Sequence, residues 1–107
     1  MSWAVELLDA RVQVELDVLP ADARASFERI VGLIQAHGLE RVRGPYVRHL
    51  EGPLWEMRLK GRAGIARAVY VTATGRRIVV VRVFVKKTQR TPRREIRLAL
   101  ERAEEVI

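Results

Sequence analysis

Three runs with alternating apolar positions, LWEMRLK (54–60), IARAVYVT (65–72) and RIVVVRVFV (77–85), follow one another with only Gly61 to Gly64 and Ala73-Thr74-Gly75-Arg76 between them. Strand side chains alternate between two faces, and connections this short join antiparallel neighbours. The spacing therefore predicts an antiparallel meander over 54–85. The rest of the chain must supply whatever covers it.

Upstream, Trp3, Val5 and Leu7 alternate with Ala4 and Glu6, which reads as a short edge strand. Residues 8–19 fit two patterns: Val12, Val14, Leu16 and Val18 alternate, while Leu8, Val12, Leu16 and Leu19 share one helical face. A helix is preferred. After Pro20, the positions of Phe27, Ile30, Val31 and Ile34 predict an amphipathic helix over 21–37, with His37 in its last turn and Gly38 as its C-cap. Residues 38–53, with Gly44-Pro45 and Gly52-Pro53, read as a loop. Thr91-Pro92 matches an N-cap and first-turn pair, and Ile96, Ala99, Leu100, Ala103 and Ile107 place an apolar stripe on a C-terminal helix. At 107 residues the chain suits one core, so 1–107 is read as a single domain. The fold class is α+β, an antiparallel β-sheet backed by helices on one face.

Charge narrows the partner. Twenty Lys and Arg against thirteen Asp and Glu give a net charge of +7, which favours polyanions. The excess lies late, where Lys86, Lys87, Arg90, Arg93, Arg94 and Arg97 face only Glu95. There is no cysteine, the two histidines His37 and His49 are isolated, and no phosphate-binding glycine loop occurs, so neither metal nor cofactor is expected. No apolar run approaches membrane-spanning length and MSWAVELLDAR lacks a basic leader, so a cytoplasmic protein without a membrane partner is expected.

Parity places the charge. In 54–60, Trp55, Met57 and Leu59 share a face opposite Glu56, Arg58 and Lys60. In 77–85, Val79, Val81, Val83 and Val85 oppose Ile78, Val80, Arg82, Phe84 and Lys86, and the second set is taken as open. Arg67 must open onto the polar face or pair with an acid such as Glu56, because an unpaired buried charge is costly. Arg58, Lys60, Arg82, Phe84, Lys86, Lys87, Arg90 and Arg93 thus form a candidate RNA-binding surface. Arginines would hold phosphates, and the phenyl ring would stack on a base. Trp3 and Trp55 are assigned to the core, and core anchoring is the preferred role for Tyr46 and Tyr70.

The segments LWEMRLKGRAGIARAVYV and GRRIVVVRVFVKKTQRTPRREIRLALER, with PYVRHLEG before them, resemble the RelE/HigB-like toxins of bacterial toxin-antitoxin systems. The phage-related HigB branch, with LWELR, YRxxY and FxKKTQKTP-type motifs, is the nearer pattern. The resemblance implies a metal-independent mRNA endoribonuclease acting on translated mRNA in the ribosome, neutralised by a cognate helix-turn-helix antitoxin. On the matching positions it implies that Arg58, Arg67 and Lys86 or Lys87 bind phosphate and stabilise transition-state charge. The chain departs from the pattern in two places. Ala66 stands where a tyrosine usually precedes the arginine, and KKTQRTPRREI has no tyrosine, histidine or aspartate to serve as a base. His49, Tyr46 or a deprotonated lysine are the alternatives. A ParE-like gyrase inhibitor and a catalytically inactive nucleic-acid-binding module of the same fold are the competing readings.

Overall fold

Asp9 decides the ambiguity at residues 8–19: its extended backbone and a carboxylate accepting the Arg11 N–H at 2.9 Å start a helix there. The computed structural model describes residues 2–42, 44–62, 64–86 and 90–106. In chain order these form β1 (Ala4–Leu7), α1 (Ala10–Asp17), α2 (Ala21–His37), a 3₁₀ turn (Leu39–Arg41), β2 (Val47–Glu51), β3 (Leu54–Gly61), β4 (Gly64–Ala73), β5 (Arg77–Lys86) and α3 (Arg93–Ala103). Gly38, at φ +88°, ends α2 in a conformation that side chains rarely adopt. None of the described helices is long and apolar enough to cross a membrane.

The meander is present, extended on both sides into a five-stranded sheet of order β1-β5-β4-β3-β2. Two features differ from the sequence reading. Residues 47–51, read as loop, form β2 and pair antiparallel with β3, Arg48 opposite Glu56 and His49 opposite Trp55. The first strand pairs parallel with β5, Ala4 opposite Arg77 through Leu7 opposite Val80, which makes the sheet mixed. Thr91 is not the cap of α3 either. Pro92 occupies that position, and the Thr91 hydroxyl is turned inward.

Helices cover both faces rather than one. Against α1 and α2 lie Met57, Leu59, Ala66, Ala68, Tyr70, Ile78, Val80 and Val83, packed with Val12, Phe27, Ile30 and Ile34. Against α3 lie Leu54, Val69, Val71, Val79, Val81 and Phe84, packed with Ile96, Ala99 and Ala103. Buried apolar area on both sides of β4 and β5 is what a central strand between two helical layers requires. The first half of β5 already carries this signal, since Ile78 and Val80 on one parity and Val79 and Val81 on the other are all apolar.

A bulge in β5 corrects the parity. Tyr70 pairs with Val80 while its neighbour Val69 pairs with Arg82, so Val81 is an extra residue. Beyond it the alternation reverses. Ile78, Val80 and Val83 face α2, whereas Val79, Val81, Arg82 and Phe84 face α3. Because β1 pairs only as far as Val80, the outer edge of β5 beyond the bulge has no strand neighbour among the described residues. Side chains close it: the Val83 N–H donates to Glu15 at 3.0 Å, and Arg102 donates to the Val81 carbonyl at 2.9 Å.

Candidate functional site

The α3-side face of the sheet carries two groups of basic residues. One is centred on Glu56. The register sets it beside Arg48 of β2, Arg58 of β3 lies directly opposite Arg67 of β4, and Lys86 ends the same face of β5. Glu56 is fully buried. Its Oε1 accepts from Arg48 Nε at 2.8 Å and lies 3.4 Å from Arg67 Nε, and its Oε2 accepts from the Thr91 hydroxyl at 3.1 Å. The pairing of Arg67 with Glu56 is thus realised across the sheet.

Among the described residues one carboxylate faces four cations, leaving an excess of three positive charges. Arg67 and Lys86 are buried and form the floor, while Arg48 is half exposed at the mouth. Among the described residues, buried Arg58 Nε and Lys86 Nζ have no hydrogen-bond partner, and Arg67 Nε has only its 3.4 Å ion pair with Glu56. Such donors are scarce in folded proteins and mark places where an acceptor is missing. The electrostatics agree. Burial lowers the proton affinity of Lys86, and neighbouring Arg67, Arg48 and Arg58 lower it further against the opposing effect of Glu56. Burial likewise lowers that of Arg67, which Glu56 partly offsets. A phosphate would relieve the repulsion and fill the unused donors.

The other group is balanced in charge, although Arg102 Nε is also buried without a hydrogen-bond partner. Arg82 contacts Glu95 at 2.7 Å and Glu15 at 2.8 Å, and Arg102 contacts Glu15 at 2.8 Å. The hydrogen bond from Arg82 to Glu95 is the main reason its proton is held more tightly than usual. Phe84 is buried under α3, with the Arg82 guanidinium 5.7 Å from its ring centre. Arg82 and Phe84 therefore belong to the joint between β5 and α3 and offer no open stacking platform, because α3 covers the face on which parity put them.

The remaining candidates disperse. Arg93 is exposed and bound to Glu51 at 2.6 Å. Arg90 is exposed just ahead of Thr91, and Lys87 lies outside the described residues, as does Ile107 of the helical stripe. Lys60 is exposed at the end of β3, where with Arg58, Tyr46 and Arg29 it borders a cavity of about 240 Å³. His49 points to the opposite face. It packs edge-on against Trp55, ring centres 5.1 Å apart, and its Nε2 lies 2.9 Å from the Gly52 carbonyl. The sheet separates it from Glu56. Trp55, expected in the core, is partly exposed beside it. Tyr70 is fully buried in the α2-side core, and burial raises the pKa of its hydroxyl. Sequence reasoning missed Arg48, and its signal was present: in VRHLE the arginine falls on the parity that faces Glu56 once the segment is read as a strand.

Residues 14–104 match the family model described as "Phage derived protein Gp49-like (DUF891)". The chain belongs to this Gp49-like family. It is a family of RelE/HigB-type toxins, in line with the resemblance carried by the LWEMR and KKTQRTP segments. No curated protein matches the chain. Among solved structures, the archaeal RelE–RelB complex from Pyrococcus horikoshii OT3 contains a similar chain, at 21% identity and a TM-score of 0.58, covering 81% of this chain and 98% of that one. The Gp49-like protein thus has a RelE-like fold.

Proposed function

We propose that this Gp49-like protein is an endoribonuclease toxin that cleaves mRNA at the cluster around Glu56 and is held inactive by a cognate antitoxin. The observation that carries the reading is the pair of buried donors without an acceptor on Arg58 and Lys86, beside Arg48 and Arg67 converging on a single carboxylate. A scissile phosphodiester placed there accepts from Arg58 and Arg67, with Arg48 at the entrance. The 2′-hydroxyl oxygen attacks the adjacent phosphorus, the bond to the 5′-oxygen breaks, and a 2′,3′-cyclic phosphate and a free 5′-hydroxyl result. Lys86, whose surroundings disfavour its charged form, stands where it can take the 2′-hydroxyl proton, and water supplies the proton for the departing oxygen. Fixed cations stabilise the charge that grows on the phosphate oxygens. The same surplus of cations makes the cluster a poor seat for a divalent metal, which supports a metal-independent reaction.

The family favours a toxin, and the similar solved chain is described in complex with RelB, which supports an antitoxin as partner. Translated mRNA in the ribosome as substrate, a helix-turn-helix antitoxin and a cytoplasmic site of action complete the proposal. Induced expression in a bacterium with primer extension on cellular mRNA tests it. New 5′ ends with the wild type, absent for Arg58→Ala and Arg67→Ala, are the expected result. Growth arrest without new ends would overturn the nuclease assignment and favour a gyrase-directed toxin.

A further inference from the structure

Glu56 has no evident place in phosphate binding, since a carboxylate repels the anion that the surrounding cations attract. Yet it is the most buried charged group among the described residues, and it ties together three separate segments: β2 through Arg48, β4 through Arg67, and the entry to α3 through Thr91. We infer that Glu56, steered by Thr91, is a positioning residue that stands in for the missing anion, holding Arg48 and Arg67 converged on the site until a phosphate arrives. The inference rests on the cleavage reading for its kinetic consequences, but its anion-dependent consequence stands without it.

The geometry explains why one carboxylate suffices. Its Oε1 meets Arg48 Nε and is near Arg67 Nε, while Arg58 Nε and Lys86 Nζ lack acceptors. Glu56 thus fixes two cations and leaves the other two for a ligand. Thr91 Oγ1 occupies Oε2, which orients the carboxylate plane. Glu56→Gln keeps the size and removes the charge, raising the local excess from three to four. Anion binding should tighten, because a repulsive charge is gone, while cleavage should fall, because the arginines lose their alignment. A residue serving stability alone would not separate the two effects.

The test uses full-length wild type, Glu56→Gln, Thr91→Val and Thr91→Ser. Binding is followed with an oligonucleotide carrying 2′-deoxyribose throughout, and cleavage with its RNA counterpart of the same base sequence under single-turnover conditions. Glu56→Gln should bind the deoxy oligonucleotide roughly tenfold more tightly at low salt, yet cleave about a hundredfold more slowly. Thr91→Val should slow cleavage without changing binding, and Thr91→Ser should restore it. Thermal unfolding against sodium sulfate gives a readout free of RNA. The midpoint of Glu56→Gln should start below that of the wild type and converge on it as sulfate rises. A gap that sulfate leaves unchanged, or parallel loss of binding and cleavage, would overturn the inference. Sulfate convergence in a protein that cleaves no RNA would reject the nuclease reading while leaving the role of Glu56 standing.

Discussion

Two basic clusters share one face of the same sheet, and counter-charge sets them apart. Arg82 and Arg102 meet Glu15 and Glu95, two cations with two anions, and their contacts join α1, β5 and α3. Two residues along from Phe84, Lys86 joins Arg48, Arg58 and Arg67 around Glu56, four cations with one anion among the described residues. The first cluster is electrically complete and fastens a helix. The second is incomplete and invites a ligand. Residue type does not distinguish them; the number of acids within reach does.

Removing one arginine from each cluster should break the comparison most sharply. Arg67→Ala should lower single-turnover RNA cleavage by about a hundredfold to a thousandfold, with little loss of thermal stability because like-charge repulsion with Arg58 and Lys86 is relieved. Arg82→Ala should do the reverse. It strands Glu95, leaves Glu15 to Arg102 and the Val83 N–H, and should cost about 2–3 kcal/mol in urea unfolding, while cleavage at 20 °C stays near that of the wild type. If Arg82→Ala abolishes cleavage in a folded protein, the two clusters are one site.

Lys86 sharpens the contrast through pH. The fold lowers its proton affinity, so the unfolded chain binds that proton more tightly and stability from this group rises as pH climbs through the folded value towards the ordinary 10.5. Lys86→Met should therefore unfold at a higher temperature than the wild type near pH 7, with the gap narrowing by pH 9.5. A constant gap would mean that repulsion at Lys86 is absent. The smallest effect concerns salt. Arg58→Ala should reduce the slope of log affinity against log salt for RNA by about one, whereas Arg93→Ala, whose charge Glu51 already occupies, should leave it nearly unchanged.

Much of the architecture was legible because period-two alternation in 54–85 and the three-four spacing of Phe27, Ile30 and Ile34 are strong signals. The candidate site was legible in part. Arg67 had to find an acid, and Glu56 stood on the matching face. What stayed hidden depended on one residue of register and on one helix. The extra Val81 reverses parity within β5, so Ile78 and Val80 cannot share a face with Phe84, and α3 closes over Arg82 and Phe84. Arg48 was overlooked because VRHLE is short and polar enough to pass for a loop until its pairing with β3 is seen.

The stretch of β5 beyond the bulge is finished by side chains where another strand would fit. Glu15 occupies the Val83 N–H and Arg102 the Val81 carbonyl, and Arg102 reaches there from α3. Helix docking and solubility are therefore the same event. A chain whose α3 swings away presents a free strand edge beside exposed Val79, Val81 and Phe84, the combination from which proteins stack into aggregates. Damage to this corner should first be noticed as a protein that clumps on overexpression, before any change in its chemistry.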